Sequence, residues 1–240
     1  MFPYDPALLA AVRAVPETLA DVLQILRAAD AILPAGDGLK WFHQLYLQVT
    51  GAVAQRVDAG GFSDPAWMSG LDVQFARLYL AALTQFLEGG TSPKEQPPEC
   101  WRVMFDRRAD VRLARIQFAL AGMNAHINHD LPAAIVNTCR ATGTAPDRGA
   151  HYADFTALDT TLAAMVDKAK TELHVRLLGD ALPPVSHLED TLAAFSVTAA
   201  REYAWTGSEI LWLPLLAAGY LRTLEGWPTA LGKTLLVAVP

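Results

Sequence analysis

IQFALAGMNAHINHDLPAAIVNTC, residues 116–139, places apolar residues at the three- and four-residue spacing of an α-helix and sets polar groups into the same face. The spacing predicts one long helix over about 110–139. Pro132 predicts a kink in it, because a proline inside a helix lacks an N–H donor and its ring collides with the carbonyl four residues back. On that helix His126, His129, Asp130 and Ala133 share a face with Ala119, Gly122 and Met123. Small residues beside polar ones either let a neighbouring helix approach closely or leave room for a ligand, and both readings stay open here.

Working outward, the same period recurs, and sustained two-residue alternation is hard to find. Helices are predicted over 17–33, 39–57 and 65–88. In the third, Asp64 can accept from free N–H groups and Pro65 sits in the first turn without losing a bond. GGTSPKEQPPE, residues 89–99, reads as a loop, as does Pro146 to Gly149. A long helix is predicted over 152–178. Ser186 and Glu189 form an S-x-x-E capping box that starts a helix running to about Trp212, and shorter pieces follow, broken by Pro214 and by Trp227-Pro228. The chain therefore reads as all-α: a single-domain multi-helix bundle over residues 1–240 with a kinked central helix.

The 240 residues are 52% hydrophobic and 18% charged, enough for a substantial buried core and for a homo-oligomer interface. A net charge of -6 gives no basic footprint for phosphate backbones, so nucleic acid is not an expected partner. The apolar run at 210–221 is too short to span a bilayer, and no membrane span is expected. Cys100 and Cys139 are the only cysteines, which fits reduced thiols and a cytoplasmic protein without an export sequence.

The candidate chemistry lies on three helices. His126, His129 and Asp130 offer two imidazoles and a carboxylate within about one turn, a partial set for zinc or iron, with Asn124 beside them. Downstream, the apolar line through Leu188, Leu192, Phe195 and Ala199 continues onto Glu202, Thr206 and Glu209, so carboxylates fall on an inward stripe. Arg201 and Trp205 on a neighbouring face can pair with a carboxylate and wall a pocket, or else form an internal Arg–Glu network. Asp72 shares a face with Phe75, Tyr79, Leu83 and Phe86; it is a catalytic candidate or a hydrogen-bond partner of Tyr46, Tyr79 or Arg201. His43 is a weaker substrate-binding candidate, with Tyr79. His151, His174 and His187 read as solvated.

No G-x-S-x-G, Walker, G-x-G-x-x-G or H-E-x-x-H motif is present. The expected function is a small-molecule enzyme acting on a largely apolar substrate in a helical pocket, of the kind found in secondary metabolism. One version holds a metal on His126, His129 and a carboxylate. Another uses histidine and a buried carboxyl as acid and base for isomerisation or cyclisation, with Asp72 and Glu209 as the carboxyl candidates. The non-catalytic alternative is a ligand-binding or interaction protein with a buried polar network. The blocks LDVQFARLYLAAL, CWRVMF, IQFALAGMNAHINHDLPAAIVNTC and SVTAAREYAWTGSEILW resemble domain of unknown function family 5995. The resemblance implies a helical single domain and supplies no reaction; it leads one to expect Asn at position 43, where this chain has His43.

Overall fold

A computed structural model describes residues 2–179 and 195–238. Helices α1 Asp5–Val12, α2 Leu19–Ile32, α3 Leu39–Asp58, α4 Pro65–Glu88 and α5 Glu99–Phe105 lead to the central element. That element is α6 Arg115–Asn124, a π-helical segment Ala125–Asp130 and α7 Leu131–Thr142. Helices α8 Ala150–Thr156, α9 Asp159–Gly179, α10 Val197–Trp212 and α11 Pro214–Leu235 complete the described chain. No strand occurs among the described residues, so the all-α bundle is as expected.

Local chemistry sets several boundaries. The Asp64 carboxylate accepts from the Trp67 N–H at 2.9 Å, Pro65 opens α4, and Gly89 closes it at φ 68°, the left-handed region glycine enters without steric cost. Thr18 and Asp21 form a reciprocal capping box at the start of α2. Pro214 starts α11 as a first-turn proline.

Four expectations are corrected. The central helix starts at Arg115 and is not α-helical throughout: it passes through the π segment, where the Leu131 N–H reaches back five residues to the His126 carbonyl, and Pro132 follows directly after. The helix expected over 152–178 is two, and Arg201 bridges the break by donating to the Phe155 carbonyl and the Asp159 carboxylate, both at 2.7 Å. Helix α10 starts after Ser196, whose hydroxyl caps the Ala199 N–H; the Ser186–Glu189 capping box lies outside the described residues. Helix α11 runs through Pro228, and carbonyls on either side of that proline receive side-chain donors, Glu225 from Thr229 and Pro228 from Asn124.

One apolar core joins nearly all these helices, and α6, the π segment and α7 form its axis, packed by α3, α4, α9, α10 and α11. Gly122 settles one open reading. A Cβ there would collide with the Phe42 ring, so the missing side chain lets α3 close on α6. A buried cluster fastens the N-terminus: Arg108 pairs with Asp5 and Asp37, and the Tyr4 hydroxyl donates to Asp37 at 2.8 Å. No helix among the described residues is long and apolar enough to cross a membrane.

Candidate functional site

The π segment turns three polar side chains onto one another. Asp130, 2% exposed, takes Nδ1 of His126 on Oδ2 at 3.0 Å and Nδ1 of His129 on Oδ1 at 2.6 Å. A third donor comes from α5, where Trp101 Nε1–H reaches Asp130 Oδ2 at 3.0 Å. Burial works against the Asp130 charge, but the hydrogen bonds from His126 and His129 outweigh it and hold the carboxyl below its ordinary pKa. Asp130 is therefore a carboxylate that only accepts, and both Nδ1 atoms must carry the protons.

That assignment fixes the chemistry of His126. Burial pushes its pKa below the ordinary histidine value, with the Asp130 bond opposing only in part, so the ring is neutral with its lone pair on Nε2. Nε2 is buried and has no hydrogen-bond partner. The ring stacks on Phe75 with centroids 3.4 Å apart and meets Tyr46 edge-on at 4.6 Å, and Phe42, Tyr79 and Trp101 close the surround. His126, Tyr46, Phe42, Phe75, Met123 and Arg201 help line a small apolar cavity of about 60 Å³.

His129 faces the other way. With Asp130 it borders an open cleft of about 840 Å³ shared with Gln85, Pro98, Arg102 and Glu225. Burial lowers its basicity, but the bond to Asp130 and the charges of Asp130 and Glu225 more than compensate, and its pKa lies above the ordinary value. Asp130 thus stands between a sealed imidazole and a partly solvated one.

On α4, Asp72 is 8% exposed and its Oδ2 has no partner. Burial raises its carboxyl to about 7, and it lies close enough to Tyr46 for its charge to raise that phenol further. The Tyr46 hydroxyl is itself buried, with the Thr50 hydroxyl one turn along α3 near enough to act on its phenol, and neither makes a well-formed hydrogen bond among the described residues. Two of the bonding partners open to Asp72 are engaged elsewhere, Tyr79 with His43 and Arg201 with Asp159.

The other candidates separate. Arg201 reaches the cavity wall and pairs with a carboxylate, Asp159 on α9, while also donating to the Phe155 carbonyl, in place of the alternative Arg–Glu network. Trp205 is fully buried against Trp67, Tyr152 and Phe155 and does not line the cavity. Glu209 leaves the site altogether: it lies 3.4 Å from Arg148, whose side chain is 47% exposed and also binds Glu202. Asn124 is a clasp, donating to Pro228 and accepting from Asn128. His43 is saturated, with Nε2–H donating to the Leu26 carbonyl at 2.8 Å and Nδ1 accepting from the Tyr79 hydroxyl at 2.9 Å; it ties α2, α3 and α4 together. His151, expected in solvent, stacks on Trp67 and contacts Asp64.

The two histidines spend their Nδ1 atoms on one carboxylate, and among the described residues no three His, Cys, Asp or Glu side chains are arranged to hold a metal ion. Asp130 is thereby engaged by the histidines themselves, and each imidazole keeps Nε2 as its remaining ligating atom. Sequence reasoning missed Trp101 as the third donor to Asp130. Its signal was present in the CWRVMF block, because a buried indole N–H calls for an acceptor.

A family described as a family of unknown function (DUF5995) matches residues 19–237, nearly the whole chain, and the chain belongs to it. No curated protein and no solved structure matches the chain.

Proposed function

We propose, for a member of a family that offers no reaction to inherit, that the protein is a small-molecule enzyme performing acid–base chemistry on a largely apolar substrate. The observation that carries this reading is the His126 imidazole: Asp130 locks its Nδ1–H, the Nε2 lone pair is buried without a partner among the described residues, and the residue lines an apolar cavity. A carboxylate that fixes the tautomer and stabilises the imidazolium is how a buried histidine is made ready to take a proton. Around it the site has the means to exclude water and orient a hydrophobic molecule, in the rings of Phe42, Tyr46 and Phe75. The size of the cavity limits the reacting part of the substrate to a few heavy atoms.

The reading is tested by proton transfer itself. A panel of small apolar compounds bearing weakly acidic C–H bonds, including ketones and terminal alkynes, is incubated in D2O with wild type and His126→Gln, and deuterium incorporation is followed by NMR. Wild type is expected to accelerate exchange in at least one compound, and the variant to lose that acceleration while retaining helical circular dichroism. Equal exchange with both proteins across the panel would refute it.

A further inference from the structure

The cavity holds a second unsatisfied group of opposite character. The Tyr46 hydroxyl, like His126 Nε2, is buried and makes no well-formed hydrogen bond among the described residues, the Thr50 hydroxyl being its nearby polar neighbour, and both residues line the same apolar space with rings 4.6 Å apart. One atom is an acceptor and the other a donor. A saturated hydrocarbon would satisfy neither, and each buried group left unmatched is costly. A molecule that satisfies both has an acceptor oxygen and an adjacent acidic hydrogen.

We infer that the substrate class is a small apolar ketone or aldehyde that enolises in this cavity, with Tyr46 donating to the carbonyl oxygen and His126 removing the α-hydrogen. This rests on the acid–base reading of His126. In the step the α C–H bond breaks and its proton goes to His126 Nε2. The C–H electron pair becomes the C=C bond of the enolate, and the carbonyl π pair moves to oxygen, where the Tyr46 O–H stabilises it. Return of the proton to the original carbon, or to a conjugated one, completes exchange or isomerisation without any redox partner.

The neighbourhood suits an oxyanion. Asp72, beside Tyr46, keeps its proton up to about neutral pH because burial opposes its charge, so no carboxylate confronts the developing negative oxygen. A donor phenol with a neutral buried acid nearby is an arrangement that stabilises enolates in a dry site. On the far side, Asp130 balances the imidazolium formed on His126.

The test uses acetone as the probe, small enough for the cavity, with exchange of its α-hydrogens in D2O followed by NMR for wild type, Tyr46→Phe and His126→Gln. The protein-catalysed rate is expected to fall about 100-fold or more in Tyr46→Phe, the scale for losing one oxyanion donor, and to vanish in His126→Gln. Bound [13C=O]acetone should show a downfield carbonyl shift on wild type, a measurement that needs no variant. Ketone exchange that depends on His126 but is unchanged in Tyr46→Phe, or a bound carbonyl with no shift, overturns the assignment of Tyr46 and leaves the base intact. Exchange dependent on His126 that occurs with a terminal alkyne and not with the ketone overturns the substrate class alone. No His126-dependent exchange with any probe overturns both readings.

Discussion

Replacing Asp72 with Asn removes a proton that the folded state holds and the unfolded state releases. The carboxyl is raised from its ordinary value of 3.8 to about 7 in the fold by burial. A group with a raised folded pKa contributes stability that is full below its unfolded value and is lost as pH rises through the folded one. The gap is about three pH units, and at about 1.4 kcal/mol per unit the contribution lost between pH 4 and pH 7 is on the order of 4 kcal/mol. Asn is nearly isosteric and has no titration there. The assay is urea denaturation of wild type and Asp72→Asn at half-unit steps from pH 4 to pH 8. Titrations of all other groups are common to both proteins and cancel in the difference. The stability of the variant relative to wild type should rise with pH up to about 7 and then level off. Parallel curves across the whole range would refute the reasoning, because they would mean that Asp72 titrates as a solvated carboxylate and that Tyr46 faces a negative charge at neutral pH.

Trp101→Phe deletes one of the three donors to the buried Asp130 charge and should lower stability by about 2 kcal/mol, the scale for a hydrogen bond to a charged group; urea midpoints check it. Gly122→Ala drives a methyl into the Phe42 ring and should cost on the order of 1–3 kcal/mol, read as a drop in Tm. Glu209→Gln touches only an ion pair with the half-exposed Arg148 and should change stability by no more than about 0.5 kcal/mol, while leaving acetone exchange at the wild-type rate. In 15N NMR at pH 6.5, the ordinary histidine value, His126 should be mainly the neutral Nδ1–H tautomer and His129 mainly protonated, since their pKa values are displaced in opposite directions.

What could be read from the sequence was local. Asp64-Pro65 and Gly89 bound α4 because a cap, a first-turn proline and a left-handed glycine act within a few residues of themselves. The polar face of 126–130 stood out for the same reason, since residues one turn apart meet whatever else surrounds them. The failures are pairings across the chain. Arg201 was expected to meet a carboxylate, in a pocket or in an Arg–Glu network, but which one was not legible: its partner Asp159 is 42 residues upstream, on a helix whose start no periodicity marked. Glu209 continued the inward stripe, yet Arg148 on a preceding loop draws it to the surface. Pro228 looked like a break because its missing donor is a local fact, whereas the Asn124 side chain that binds its carbonyl comes from 104 residues away. Trp101 and Tyr46 acquired their significance only when α5 and α3 were laid against the central helix.

The π segment also acts as a phase shifter along the central axis. An α-helix advances about 100° per residue, so one residue taken up in a wider turn offsets the sequence positions that share a face after it from those before, and leaves the face itself in place. Helix α6 can thereby bury one set of positions against α3 and α9, while α7 buries a set offset in sequence, including Ala134, Ile135 and Cys139, against α4 and α10. Loss of a single residue from Ala125–Asp130 would restore the ordinary hydrogen-bond interval and leave that second set facing α4 and α10, whereas loss of a residue from within α6 would turn the set by about 100°. The segment that bears the histidines is thus the place on the axis where an extra residue is carried without re-registering the packing on either side.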